Sequence, residues 1–165
     1  MPTLATERLE LRAFTNADIG VYARYCADPE VMRFLGGRRW TRTESWRHVA
    51  MLLGHWQLRG YGMWAVERRS DGAMLGRVGC IEPDGWPGFE IGWLIGREHQ
   101  GQGYATEAAR AALAWSRDVL GRSSVVHLID EANLASAAVA RKLGARPGAT
   151  VEVMGMPCVV WETRC

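Results

Sequence analysis

Lysine is nearly missing from this chain: of 20 cationic residues only Lys142 is one, and no run of like charge occurs in the 165 residues. With a net charge of +2 and no basic tract, a nucleic-acid-binding arm is not expected. The four cysteines, Cys26, Cys80, Cys158 and Cys165, form no Cys-x-x-Cys pair. His48, His55, His99 and His127 fall into no short ligand pattern, so no metal site is expected. The chain also lacks an unbroken apolar span of membrane length and a charged-then-apolar leader. The expectation is a reduced, cytoplasmic protein with no membrane partner. No internal repeat, low-complexity tract or linker divides it, which implies one domain over 1–165.

What is present is a succession of short elements. Residues 8–12 alternate apolar and polar as a half-buried strand does. Thr15 and Asp18, then Thr41 and Glu44, stand at capping-box spacing and predict helices from about Asn16 to Ala27 and from Thr41 to Gly60. A short helical piece from Asp28-Pro29 to Phe34 lies between them. Trp46, Val49, Leu52, Leu53 and Trp56 recur at helical spacing and predict an inward stripe. Three strands follow, Gly62–Arg68, Met74–Ile81 and Phe89–Ile95, with Ser70-Asp71-Gly72 as a turn between the first two. A helix over Ala105–Val119, closed by Gly121, presents a narrow face of Ala108, Ala109, Ala112 and Leu113. Ser124–Ile129 reads as a strand, Ala135–Leu143 as a short helix, and 151–154 with 158–162 as a closing hairpin. The order of elements implies an α/β (α+β) domain with a mixed sheet, neither all-parallel nor a sandwich.

Between the third of those strands and the alanine-rich helix runs Gln100-Gly101-Gln102-Gly103-Tyr104-Ala105-Thr106. Glycines there let main-chain N–H groups converge on an anion at a helix start. The alternative is a strand-to-helix turn that merely needs glycine. A dinucleotide fingerprint requires Gly or Ala where Thr106 stands, and a P-loop requires a Gly-Lys-Ser/Thr ending that is missing.

Gln100, Gly103 and Ala105 fit the pattern Gln/Arg-x-x-Gly-x-Gly/Ala. In the same order along the chain come residues 6–12, Asp18, residues 28–35, Glu90-Ile91-Gly92-Trp93, residues 101–108, and Asn133, Ser136 and Lys142-Leu143-Gly144-Ala145. On these segments the chain resembles the GCN5-related N-acetyltransferase (GNAT) superfamily, in its RimJ/RimL-like branch. The resemblance implies a mostly antiparallel sheet of six to seven strands flanked by about four helices, with a splayed strand pair at the cofactor. It implies acetyl-CoA as co-substrate, held by the main chain of Leu94 and Ile95, by Gln100, Gly101, Gln102, Gly103, Tyr104, Ala105 and Thr106, and by Asn133 and Ser136. Asn133 reads equally as a helix cap. Glu90, ten residues before Gln100, is the candidate base, its other reading being a strand carboxylate paired with an arginine. The helix after Asn133 has no tyrosine to act as acid, which leaves Ser136 or a water. The implied activity is acetyl transfer to a small-molecule or peptide amine, by a monomer or homodimer. A catalytically silent acyl-CoA-binding or interaction module on the same fold is the alternative.

Overall fold

The computed structural model describes all residues, Met1–Cys165. One eight-stranded sheet holds β1 (Leu4–Ala5), β2 (Leu9–Arg12), β3 (Met63–Arg68), β4 (Ala73–Ile81), β5 (Glu90–Ile95), β6 (Ser124–Ile129), β7 (Arg146–Val153) and β8 (Met156–Arg164). Their order in the sheet is β1-β2-β3-β4-β5-β6-β8-β7. Every neighbouring pair is antiparallel except β5 and β6, which run parallel. Five α-helices cover the sheet: α1 (Asp18–Ala27), α2 (Pro29–Met32), α3 (Arg42–Arg59), α4 (Tyr104–Asp118) and α5 (Leu134–Lys142). The count is thus eight strands and five helices, against six to seven and about four expected. The extra strand is the two-residue β1, too short to carry a periodic signal, and the extra helix is the single turn α2.

Local chemistry explains most boundaries. Thr41 and Glu44 make both halves of a capping box, and Gly60 ends α3 at φ 75, a left-handed conformation that glycine adopts without strain. At α1 only the acid's half forms: Asp18 Oδ2 accepts from the Thr15 N–H at 2.7 Å and from the Thr15 hydroxyl at 2.9 Å. Arg12 closes on the same carboxylate with two 2.8 Å bonds, so the helix starts at Asp18 and not at Asn16. The stripe on α3 is narrower than expected, because Val49, Leu52 and Trp56 are buried while Trp46 and Leu53 face outward.

The sheet divides the interior into two layers. One face carries Ile91 and Ile95 of β5 against Ala108, Ala109 and Ala112 of α4, whose small side chains are completely buried and let the helix approach closely. The other face carries Met63, Ala65, Met74, Ile81 and Leu94 against α1, α2 and α3. The period-two alternation of β5 therefore sends Glu90, Gly92 and Leu94 to the second face.

Candidate active site

β5 and β6 touch at one register position, Glu90 with Val126, and part beyond it. The Val126 N–H still reaches the Phe89 carbonyl at 2.9 Å. Two residues further on, the link passes through a side chain, with His127 Nδ1 at 2.7 Å from the Ile91 carbonyl oxygen. That oxygen can only accept, so Nδ1 carries the proton and Nε2 accepts from the Thr163 hydroxyl at 3.0 Å. Burial holds this imidazole neutral by lowering its pKa. His127 is therefore a satisfied wedge between diverging strands. The Gly96 N–H donates to Leu75 on β4, and ladder alternation then directs the main chain of Leu94 toward Arg77. Trp93 and Ile95 turn theirs toward the opening beside β6. Of those groups, the Ile95 carbonyl is met by Gln100 Nε2 at 2.9 Å.

The opening leads to the glycine loop. Gly101 at φ 75 and Gly103 at φ 84 hold the bend, and Gly103 is the residue preceding α4. The first main-chain bond of the helix runs from Glu107 N–H to the Gly103 carbonyl, and no side chain caps the end. The N–H groups from Gly101 through Thr106 consequently have no acceptor in the protein. Side chains brace the loop from behind. Gln102 Nε2 donates to the Glu98 carbonyl at 3.2 Å, Arg8 bonds the Gln102 carbonyl at 3.1 Å, and Arg8 stacks 4.6 Å over the Tyr104 ring. A cleft of about 590 Å³ beside the loop is lined by Arg8, Gly103, Thr106, Arg110 and Lys142, among others. Arg110 and Lys142 are in no ion pair, whereas Arg8 is held by Glu107 at 2.7 Å. Exposed Lys142 lends Arg110 its carbonyl oxygen at 3.2 Å.

At the vertex of the two strands stands Glu90, 9% exposed. Trp86 Nε1 donates to its Oε2 at 2.7 Å, and no arginine forms an ion pair with it. Burial pushes its pKa up to about 7. The Trp86 bond, the charge of Arg77 and the Leu128 main-chain N–H act in the opposite direction and only partly offset it. Sequence reasoning gave no weight to Trp86, which lies in a Pro/Gly-rich turn, or to Arg77, and it used Trp93 only as part of the Glu90-Ile91-Gly92-Trp93 segment. Ser136 and Asn133 lie across the opening on α5. Asn133 Oδ1 accepts from the Ser136 N–H at 3.0 Å as a helix cap, which leaves its amide NH₂ unengaged. Ser136 Oγ accepts from Trp93 Nε1 at 3.1 Å, which leaves the hydroxyl proton available to a further acceptor.

Comparison with known proteins matches this geometry to a family. A family model described as the acetyltransferase (GNAT) domain matches residues 8–146. The chain is 32% identical over 170 residues to the uncharacterized protein YkkB of Bacillus subtilis, covering 98% of this chain and 95% of that one. It is 30% identical over 146 residues to an FsC-acetyl coenzyme A-N(2)-transacetylase of Aspergillus fumigatus, covering 84% of this chain and 62% of the relative. The solved structure of an acetyltransferase from Agrobacterium tumefaciens superposes with a TM-score of 0.91 at 29% identity, over all of this chain and 95% of the other. The chain belongs to the GNAT family and is an N-acetyltransferase.

Proposed function

We propose that the protein moves the acetyl group of acetyl-CoA to a primary amine of a small molecule or a peptide N-terminus, by direct attack within a ternary complex. The observation that carries this reading is the run of acceptor-free N–H groups from Gly101 to Thr106 at the mouth of the β5/β6 opening. Such a run at a helix N-terminus suits a diphosphate, and the unpaired Arg110 and Lys142 add positive charge beside it. The pantetheine arm would lie between β5 and β6. Trp93 and the Ile95 N–H would pair with it through the main chain, and the Asn133 amide would meet it from the start of α5; Leu94, expected in the pairing role, directs its main chain to β4 and its side chain into the core under α1, α2 and α3.

Acetyl-CoA supplies the thioester, and the protein's own groups handle the protons. Glu90, poised near neutral pH by burial, accepts the proton of the attacking amine. Ser136, its oxygen fixed by Trp93, passes a proton to the departing thiolate while regaining one from water, so the thiol leaves and the hydroxyl is restored. An α-amine loses its proton about 2.5 units more readily than a lysine side chain, worth about 3 kcal/mol to a base near pH 7. That favours α-amines over lysine ε-amines as acceptors, and the RimJ/RimL-like motifs agree with it. The fungal relative, named for transfer to an N(2) nitrogen, points the same way. Calorimetry with coenzyme A, followed by thiol release from acetyl-CoA over a panel of amino acids, polyamines, aminoglycosides and short peptides, tests the proposal. Binding without release across the panel would instead identify a silent acyl-CoA module. No heat with either nucleotide would remove the cofactor site altogether.

A further inference from the structure

We propose that Arg77 forms a carboxylate subsite on the amine side of the active site, so that the acceptor is a small amine bearing a carboxylate of its own. This rests on the acetyl-transfer reading and specifies its substrate class. In the β4/β5 ladder the rows run Arg77 with Leu94, Gly79 with Gly92, and Ile81 with Glu90. Arg77 therefore stands on the same face as Glu90, two rows away, and the row between them has no side chains. Two rows correspond to about 13 Å along the strands. A Cβ at 92 would lie 3.1 Å from both Glu90 Oε1 and Met63 Cε, so glycine lets the ends of those two side chains lie over this row.

The guanidinium is half-buried and has no carboxylate within ion-pair distance. It donates through Nε to the Tyr22 hydroxyl at 3.1 Å and through Nη1 to the Met63 sulfur, a weak acceptor. Its Nη2 has no partner in the protein. Arg12, on the same face and similarly shielded, shows how this chain treats a structural arginine: it is closed by Asp18 at 2.8 Å and Glu67 at 2.7 Å. Arg77 instead meets neutral groups. The Tyr22 hydroxyl that accepts from Arg77 also lies 3.0 Å from His48 Nδ1, so the three side chains form one hydrogen-bonded chain. Burial and the Arg77 charge hold His48 neutral, with a pKa of about 3. Trp40 packs against the imidazole, ring centroids 4.9 Å apart. The subsite thus offers one positive charge and an open side of a planar fork. One charge matches a carboxylate, whereas a phosphate dianion calls for more.

The test compares amino acids with their α-carboxamides as acetyl acceptors, by thiol release from acetyl-CoA. The amide has the less basic amine, so chemistry alone favours it; the expected result is a kcat/KM at least about 10-fold higher for the acid. Arg77→Gln is expected to lower kcat/KM for the acid about 10²-fold, chiefly through KM, and to lower it far less for the amide, which loses only the Arg77 charge that favours ionised Glu90. Arg77→Lys should restore part of the loss. Equal turnover of acid and amide by the unmodified protein overturns the subsite and leaves acetyl transfer standing, and that comparison needs no variant to fold. Equal losses for acid and amide in Arg77→Gln overturn it as well. Coenzyme A binding with no amine turned over removes the acetyl-transfer reading and the subsite together.

Discussion

Replacing Glu90 by Gln keeps the shape of the side chain and an oxygen for Trp86 Nε1, while removing the titrating carboxyl. The folded-state pKa of about 7 lies above an ordinary 4.5, so the folded chain holds this proton more tightly than the unfolded chain does. The favourable contribution is complete below pH 4.5 and is lost as pH rises to about 7, where an ionised carboxylate sits in a buried place. The 2.5-unit difference is worth about 3 kcal/mol. Glu90→Gln is therefore expected to be more stable than the unmodified protein at pH 8 by about 3 kcal/mol, with the difference shrinking to nothing near pH 4.5. Urea denaturation at a series of pH values reads this directly. In thiol release at pH 8 the same variant should lose ~10²–10⁴ in kcat, and the acid limb of the kcat profile near pH 7 should disappear. The groups facing the carboxyl are Trp86, Arg77, the Leu128 N–H and the Cys158 thiol. Of these Arg77 is always charged, and the thiol's pKa is raised by burial and by the charges of Asp130 and Glu90, so neither supplies a limb near 7. A limb at pH 7 that survives in the variant, or a stability gain that does not vary with pH, would refute the reasoning.

Ser136→Ala removes both the acceptor of Trp93 Nε1 and the proposed thiolate proton donor; kcat should fall about 10- to 100-fold, most strongly with poorly leaving acyl thiols, as measured against thioesters of differing thiol pKa. Gly103→Ala puts a Cβ at φ 84 and 3.4 Å from Arg8 Nη2. The expected cost is about 1–2 kcal/mol in stability, with a larger loss in coenzyme A affinity by calorimetry, since the N–H groups on either side are re-aimed. Thr41→Ala breaks the capping box of α3 and should cost about 1 kcal/mol. Neither KM should change, which denaturation together with steady-state kinetics would check.

The glycine loop was legible because its requirement is local: bare positions at a strand end, followed by a helix former, can be read from neighbours alone. The capping box at Thr41 was legible for the same reason. The Thr15–Asp18 pair placed the start of α1 two residues early: only the acid's half of the box forms, and the Asp18 carboxylate is shared with Arg12 of β2, which capping-box spacing does not disclose. Asn133 looked evenly balanced between cap and ligand contact; its Oδ1 caps α5, and its NH₂ is unengaged within the protein. Arg77 looked like any charged strand residue. Its meaning comes from the absence of a carboxylate around it, and that depends on what α1 and α3 place over the sheet. Trp93 and Leu94 show a further limit. Which of two adjacent residues turns its main chain to the opening depends on the ladder register with β4, a pairing that local sequence does not disclose.

The separation of tasks across the sheet follows from one topological fact, the parallel pair β5/β6 inside an otherwise antiparallel sheet. A parallel pair joined through α4 places the strand ends and the helix N-terminus at the same edge, so the opening and the N–H cradle arise together. The strands could have zipped further, and forgoing that pairing leaves polar main-chain groups of Trp93 and Ile95 without strand partners, at a cost of about 1–3 kcal/mol for each one that stays unmet away from water. His127 and the Trp93–Ser136 bond hold the strands apart against that cost. Because Glu90 occupies the last paired position, it lies where the opening ends, and the alternation of β5 turns its side chain to the face opposite α4. On the proposed reading, a thioester entering from the loop and an amine entering beneath α1 and α3 would meet at that vertex. Glu90, the bare Gly79/Gly92 row and Arg77 share the sheet face opposite α4, so the proposed reading puts the acceptor's chemistry in those residues and the cofactor's in the glycine loop.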